Sequence, residues 1–175
     1  LSIKGSYAGA MGPAQFMPSN YRQYAITFHP QGQRDILNNM PNILSSVANY
    51  LKSHGWQSGA PVAYSAQVSG TRYKQFQGPS KPSISAANTI EQWRQYGVMI
   101  KDRDAGLGLS KNTKTLAKLL TLEGKEGQEH WVAYPNFDVI KRYNQSNHYA
   151  MAVYLLSKQI QAGKAQGQNV KKSAS

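Results

Sequence analysis

The sequence contains no cysteine. This excludes disulfides and thiolate metal sites. It leaves the compartment open, because periplasmic and cytosolic proteins can both do without the residue. Acidic residues are scarce as well, with 8 Asp+Glu against 20 Lys+Arg and a formal net charge of +12. A field of that sign favours polyanionic partners such as nucleic acid, anionic lipid or an acidic polymer. The basic residues are scattered, however, and only Lys141-Arg142 and Lys171-Lys172 stand side by side. Without a compact basic stripe, no nucleic-acid partner is expected. Long apolar runs are missing too, so nothing in the sequence spans a membrane as a helix. The first residues lack the basic and apolar blocks of a signal peptide.

Several kinds of chemistry are also absent. The eight carboxylates are Asp35, Glu91, Asp102, Asp104, Glu123, Glu126, Glu129 and Asp138. None lies between apolar helix positions, where burial would tune a general acid. All are read as solvated surface charge. The four histidines, His29, His54, His130 and His148, are far apart in sequence and form no ligand pair. Counted from Thr27, the following loop places Gly32 at the turn glycine of an EF-hand. The ligand positions then fall on Thr27, His29, Gln31 and Asn38, and Asp35 is the one acidic residue among the twelve. A hard dication needs more anionic oxygen than that, so neither metal nor other cofactor is expected. Ser6 has no nucleophile-elbow setting, and AGLGLSKNT lacks the ending of a phosphate loop.

The 175 residues suffice for one substantial core with a smaller second lobe. Residues 13–26 read as a helix or two short helical pieces, with Pro13 at a first helical position and Pro18 restricting Met17. Residues 27–39 read as a polar loop. Residues 40–54 read as a helix in which Ile43, Val47, Tyr50, Leu51 and His54 recur at helical spacing, with Gly55 at its C-terminal cap. Composition changes near residue 58. PVAYSAQV (61–68) and KTLAKLLTLEG (114–124) read as strands, TIEQWRQYG (89–97) as a short helix, and RDAGLGLSKNT (103–113) as turns. A small β-containing lobe, 58–127, is therefore expected as an insertion between helical segments 1–57 and 128–162. Asn136 is a candidate cap for a helix at 137–143. The strongest helix is SNHYAMAVYLLSKQIQ, capped by Ser146 or Asn147, with an apolar stripe of Tyr149, Ala152, Val153, Leu156 and Ile160. Residues 163–175 read as a polar, frayed tail.

What remains is rich in tyrosine, with eleven in the chain. Aromatic faces beside amide and hydroxyl side chains suit carbohydrate, which presents apolar C–H faces ringed by polar groups. RYNQSNHYAM places Tyr143, Asn144 and Tyr149 around the start of the last helix. Spacing alone favours helix-end packing for Tyr143 and a core position for Tyr149 over sugar binding.

Three stretches carry a resemblance. KGSYAGAMGPAQFMPSNYRQYAI, SVANYLKSHGW and IKRYNQSNHYAMAV resemble, in that order, the lytic murein transglycosylase B family. The resemblance implies an α+β fold, mainly an α-helical lysozyme-like core with a small inserted β-containing lobe. It implies cleavage of the β-1,4 bond between N-acetylmuramic acid and N-acetylglucosamine in peptidoglycan, with 1,6-anhydromuramic ends formed by one Glu acting as acid and then base. It places Ser6, Gln15, Phe16, Met17, Tyr50, Tyr143, Asn144 and Tyr149 at positions that bind glycan. It places the Glu upstream of Leu1, so no catalytic residue is expected in this chain. The family's acidic calcium loop is replaced here by HPQGQRD. The implied setting is the periplasm of a Gram-negative cell, with peptidoglycan strands and other cell-wall enzymes as partners. A monomer is expected, with membrane attachment only through an N-terminal lipid anchor outside this sequence. The alternative is a non-catalytic murein-binding module.

Overall fold

A computed structural model describes residues 6–78, 81–101 and 114–173. The chain divides into two compact units, Leu1–Ser58 and Gly59–Ser175.

In the first unit, helix α1 spans Pro18–Tyr24 and helix α2 spans Met40–Ser53. The helix expected from residue 13 starts only at Pro18, because Met11–Phe16 closes into a tight loop. Phe16 and Met11 exchange two backbone hydrogen bonds, of 2.9 and 3.2 Å. Gly12 makes the loop feasible: its φ is +61°, and a Cβ there would sit 2.7 Å from the Ile36 carbonyl oxygen. Helix α2 is capped by Asn39, whose side chain accepts from the Asn42 amide. Its buried face comprises Asn42, Ile43, Ser46 and Tyr50. Two of these are polar because they hold the loop before the helix. Asn42 accepts from Phe28 N at 2.8 Å and donates to Gln33 O at 2.8 Å. Ser46 Oγ accepts from Ile26 N at 3.0 Å. Buried side-chain amides and hydroxyls can thus pair the backbone of an irregular segment that has no ladder of its own.

The second unit is a six-stranded antiparallel sheet with helices. Its strands are β1 Ala63–Val68, β2 Gln77–Gly78, β3 Lys81–Thr89, β4 Val98–Ile100, β5 Leu116–Gly124 and β6 Gly127–Ala133. The sheet order is β2-β3-β5-β6-β1-β4. A 3₁₀ turn, Arg72–Phe76, and helix α3, Ile90–Gln95, lie between strands. Thr89 and Gln92 form a reciprocal capping box at the start of α3. Helices α4, Pro135–Tyr143, and α5, Asn147–Ser173, follow β6.

Three expectations are corrected here. Residues 127–133 extend the sheet, so helix does not resume at 128. The backbone stays helical through Ser173, where a frayed tail was expected from 163. The apolar stripe of α5 is not its buried face: Val153, Leu156 and Ile160 are exposed, and the helix buries Ala150 and Met151 instead. The Tyr154 hydroxyl ties α5 to β1 by donating to Ala63 O at 2.7 Å. Asn136 is buried inside α4, one residue past its first, and donates to Ala60 O at 3.0 Å. The turn-rich reading of 103–113 lies outside the described residues.

The core of this unit gathers Trp93, Leu119, Val132, Tyr134 and Val98, all at most 2 % exposed. The Trp93 indole N–H donates to Ala117 O at 2.8 Å. At the bulge between Ile84 and Ala87, Ser85 Oγ accepts from Leu119 N at 2.8 Å and so pairs an amide that the ladder misses. Tyr134 packs edge-on against Tyr64 at 5.7 Å, and its buried hydroxyl has no hydrogen-bond partner among the described residues. Burial, and then the neighbouring Tyr64, push its pKa far up. Removing an unpaired hydroxyl forfeits no hydrogen bond. Tyr134→Phe should therefore leave stability unchanged or raise it by ~1 kcal/mol, read as the urea midpoint. A clear loss would contradict the unpaired assignment.

Candidate glycan-binding site

The eight candidate residues fall in both units. Five lie in the first, where the Ser6–Phe16 segment folds on itself. Ser6 Oγ accepts from Ala10 N at 3.0 Å, and Ser6 O accepts from Gly9 N at 2.8 Å. Ser6 thus tightens the turn that carries Tyr7, which is fully exposed. Gln15 has φ +49°, a left-handed value that non-glycine residues seldom adopt. Its backbone N–H and side-chain Nε2 both donate to Gly12 O, at 3.0 and 2.8 Å. A strained residue held in place by its own side chain belongs to the class of positions that gather at ligand sites. Gln15 is exposed.

Phe16 is buried at 1 % exposure and Tyr50 at 5 %. Their rings lie 5.9 Å apart. Tyr24 packs edge-on against Tyr50 at 4.9 Å, and His54 stacks on Tyr50 at 4.1 Å. Phe16 and Tyr50 therefore form the aromatic base under the loop, while Met17, at the N-cap of α1, is 38 % exposed. Sequence reasoning did not assign Tyr24, His54 or Gly12 to this site. The Tyr50–His54 spacing of one helical turn was a signal for the stack. The role of Gly12 needed the position of Ile36.

The other three residues make the α4–α5 corner. Tyr143 ends α4 half-buried, and Asn144 is its C-cap. Asn144 Oδ1 accepts from Ser146 N at 3.1 Å, and Ser146 Oγ accepts from Tyr149 N at 3.2 Å. Ser146 is thus the N-terminal cap of α5. These linked bonds fix where Tyr149, half-buried, enters its helix.

Acid–base candidates are limited. No described carboxyl-bearing residue is buried. Backbone N–H groups of Asn38 and Leu37 hold Asp35 below the ordinary carboxylate range, the opposite of what a general acid at neutral pH requires. The same two bonds occupy Asp35 Oδ1 at 3.0 and 2.8 Å. The donor set of the loop from Thr27 therefore does not fit a calcium ion: it offers a single carboxylate, with Oδ1 taken by two backbone N–H groups, and Asn42 holds the loop through Phe28 N and Gln33 O. Burial also lowers the pKa of His130, which lies 3.1 Å through Nδ1 from Thr121 Oγ1.

The transglycosylase SLT domain family matches residues 1–158. The chain belongs to this family. The membrane-bound lytic murein transglycosylase B of Escherichia coli is 38 % identical over 167 residues, covering 95 % of this chain and 42 % of that protein. The soluble lytic transglycosylase SltB1 of Pseudomonas aeruginosa matches with TM-score 0.79 and 34 % identity, over 94 % of this chain and 51 % of that one. The E. coli lytic transglycosylase Slt35, solved in complex with bulgecin A, matches with TM-score 0.75 and 37 % identity, over 94 % and 48 %. The chain spans about half the length of these relatives. The expected α+β, lysozyme-like class of the lytic transglycosylases holds across the aligned length.

Proposed function

We propose that this SLT-family chain supplies the glycan-holding part of a periplasmic murein lytic transglycosylase. The bond cleaved is MurNAc-β-1,4-GlcNAc. A Glu outside these 175 residues protonates the glycosidic oxygen as its bond to C1 breaks. The C6 hydroxyl of the muramic residue then attacks C1 and returns its proton to the carboxylate, leaving a 1,6-anhydro end. In the first unit the loop carrying Ser6, Gln15 and Met17 positions sugar over a floor of Phe16 and Tyr50; in the second, Tyr143, Asn144 and Tyr149 of the α4–α5 corner are glycan contacts in their own right. The observation that carries this reading is Gln15, held at positive φ and locked by its own bond to Gly12 O inside a stretch that carries the family resemblance. Two further features support it. The positive net charge suits the carboxylates of murein stems. The exposed stripe of Val153, Leu156 and Ile160 on α5 suits coverage by the further chain that the relatives possess. No described helix is long and apolar enough to cross a membrane. Attachment, where it occurs, falls to a lipid anchor outside this sequence.

The test is digestion of purified sacculi. The 175-residue chain alone should release no anhydromuropeptides, because a positioned general acid is worth ~10²–10⁴-fold. The same chain within its longer protein should release them. Release by the chain alone overturns the placement of the Glu. Binding without cleavage in both forms makes the protein a murein-binding module.

A further inference from the structure

Helix α2 ends in a turn that brings one side chain back onto its own helix. His54 is the C-cap, and Gly55 follows at φ +93°. The left-handed glycine lets Gly55 N donate to Lys52 O and Trp56 N donate to Leu51 O, both at 3.0 Å. These two bonds are the paired closure of a Schellman motif. Tyr50 O, one residue earlier, accepts from His54 N at 3.1 Å and from His54 Nδ1 at 2.8 Å. A carbonyl oxygen only accepts, so Nδ1 carries a proton. The half-buried His54 side chain is thus anchored one helical turn back, on the backbone of Tyr50.

The anchored imidazole lies on the Tyr50 ring, with centroids 4.1 Å apart and planes 28° from parallel. Tyr24, the last residue of α1, packs against both rings, 4.9 Å from Tyr50 and 5.2 Å from His54. The Asn49 side-chain amide donates to Tyr24 O at 3.0 Å and keeps the end of α1 beside α2. Phe16 meets Tyr50 at 5.9 Å. Three rings therefore contact Tyr50, and each arrives from a different segment. A buried ring so surrounded cannot turn without displacing a neighbour. A tilt of Tyr50 would reach the loop through Phe16, which exchanges backbone bonds with Met11. Residue type matters at the cap. Phenylalanine there could stack but not donate, and asparagine could donate but not stack. Histidine does both.

We propose that His54 is a positioning residue of the glycan site. It sets the orientation of Tyr50, and through Tyr50 the floor that Phe16 completes under the Gln15 loop. It acts on the Tyr50 ring and not on the sugar. The inference rests on the lytic transglycosylase function proposed above.

The experiment follows sacculus digestion by the longer protein across substrate concentrations, together with its affinity for a chitooligosaccharide. His54→Ala should raise both KM and the dissociation constant about fivefold or more, the scale of one lost aromatic pair. A variant that only folded less well would lose kcat at unchanged KM, because its folded fraction would bind as before. His54→Phe keeps the stack and should recover more of the loss than His54→Asn, which keeps the bond. In a Tyr50→Ala background, His54→Ala should add less than about twofold, since the ring it positions is gone. An unchanged KM in His54→Ala overturns the positioning role. So does a full further loss in the Tyr50→Ala background, or equal recovery by the Phe and Asn variants. Binding without cleavage by the unsubstituted protein sinks the lytic transglycosylase reading alone, and the dissociation constants then decide the role of His54. Absence of both binding and cleavage sinks both.

Discussion

Gly12→Ala should, on the lytic transglycosylase function proposed above, cut sacculus digestion by the longer protein by ~10²-fold, the cost of misplacing a binding element by about an ångström. An alanine at φ +61° adopts a left-handed backbone, at a cost of ~1–2 kcal/mol for an L-residue. Its Cβ would also lie 2.7 Å from the Ile36 carbonyl oxygen and 3.0 Å from Leu37 Cδ2. Neither neighbour withdraws easily. Ile36 is buried at 2 % exposure, and the Leu37 amide is held by Asp35 Oδ1 at 2.8 Å. The loop must therefore move, and Gln15 moves with it, since both its bonds end on Gly12 O. Sacculus digestion measures the loss. Because the second unit has its own core, its unfolding should be unchanged, which separates a displaced loop from a collapsed protein. Full activity in the variant would remove the Ser6–Phe16 loop from the site.

Trp93→Ala should be the most damaging single change in the second unit, at ~3–5 kcal/mol. Trp93 is 1 % exposed, and Phe76 packs edge-on against it at 5.3 Å. Alanine leaves a cavity beside Phe76 in the core and deprives Ala117 O of the indole N–H. A domain of this size has ~5–15 kcal/mol in total, so the variant should unfold at a much lower urea concentration. Trp93→Phe separates the two contributions. It refills most of the volume and leaves one buried carbonyl without its donor, a loss of ~1–3 kcal/mol. Equal midpoints for the two variants would mean that the hydrogen bond, not the packing, carries the effect.

The elements legible from sequence are those in which local pattern and tertiary role agree. Helix α2 shows its periodicity through Ile43 and Tyr50, and β5 alternates small or apolar residues from Ala117 to Leu122 that the core buries. Where local chemistry is ambiguous, the reading failed for identifiable reasons. β3 reads KPSISAANT, poor in the branched and aromatic residues that mark strands, and is strand because β5 and the Ser85 contact hold it. β6 begins GQEH and follows a tight turn, so its polar half hides an apolar half, Trp131 to Ala133, that the core buries or half-buries. The apolar stripe of α5 was visible as a pattern, but a pattern does not say which neighbour is present to cover it. At the candidate site, residue types were legible and conformations were not. Tyr50 could be named from its motif, whereas the Gly12 contact with Ile36 joins residues whose proximity only folding creates.

The placement of β1 has a consequence for biosynthesis. It is the first strand of its unit to be made, yet it sits between the fourth and the last. Its edge toward β6 waits for Trp131 to Ala133, more than sixty residues downstream. Contacts so distant in sequence close slowly. During translation the chain therefore carries an unsatisfied β1 edge until β6 leaves the ribosome. That interval, rather than any weakness of the finished sheet, is when this protein is most exposed to pairing with a neighbour of its own kind.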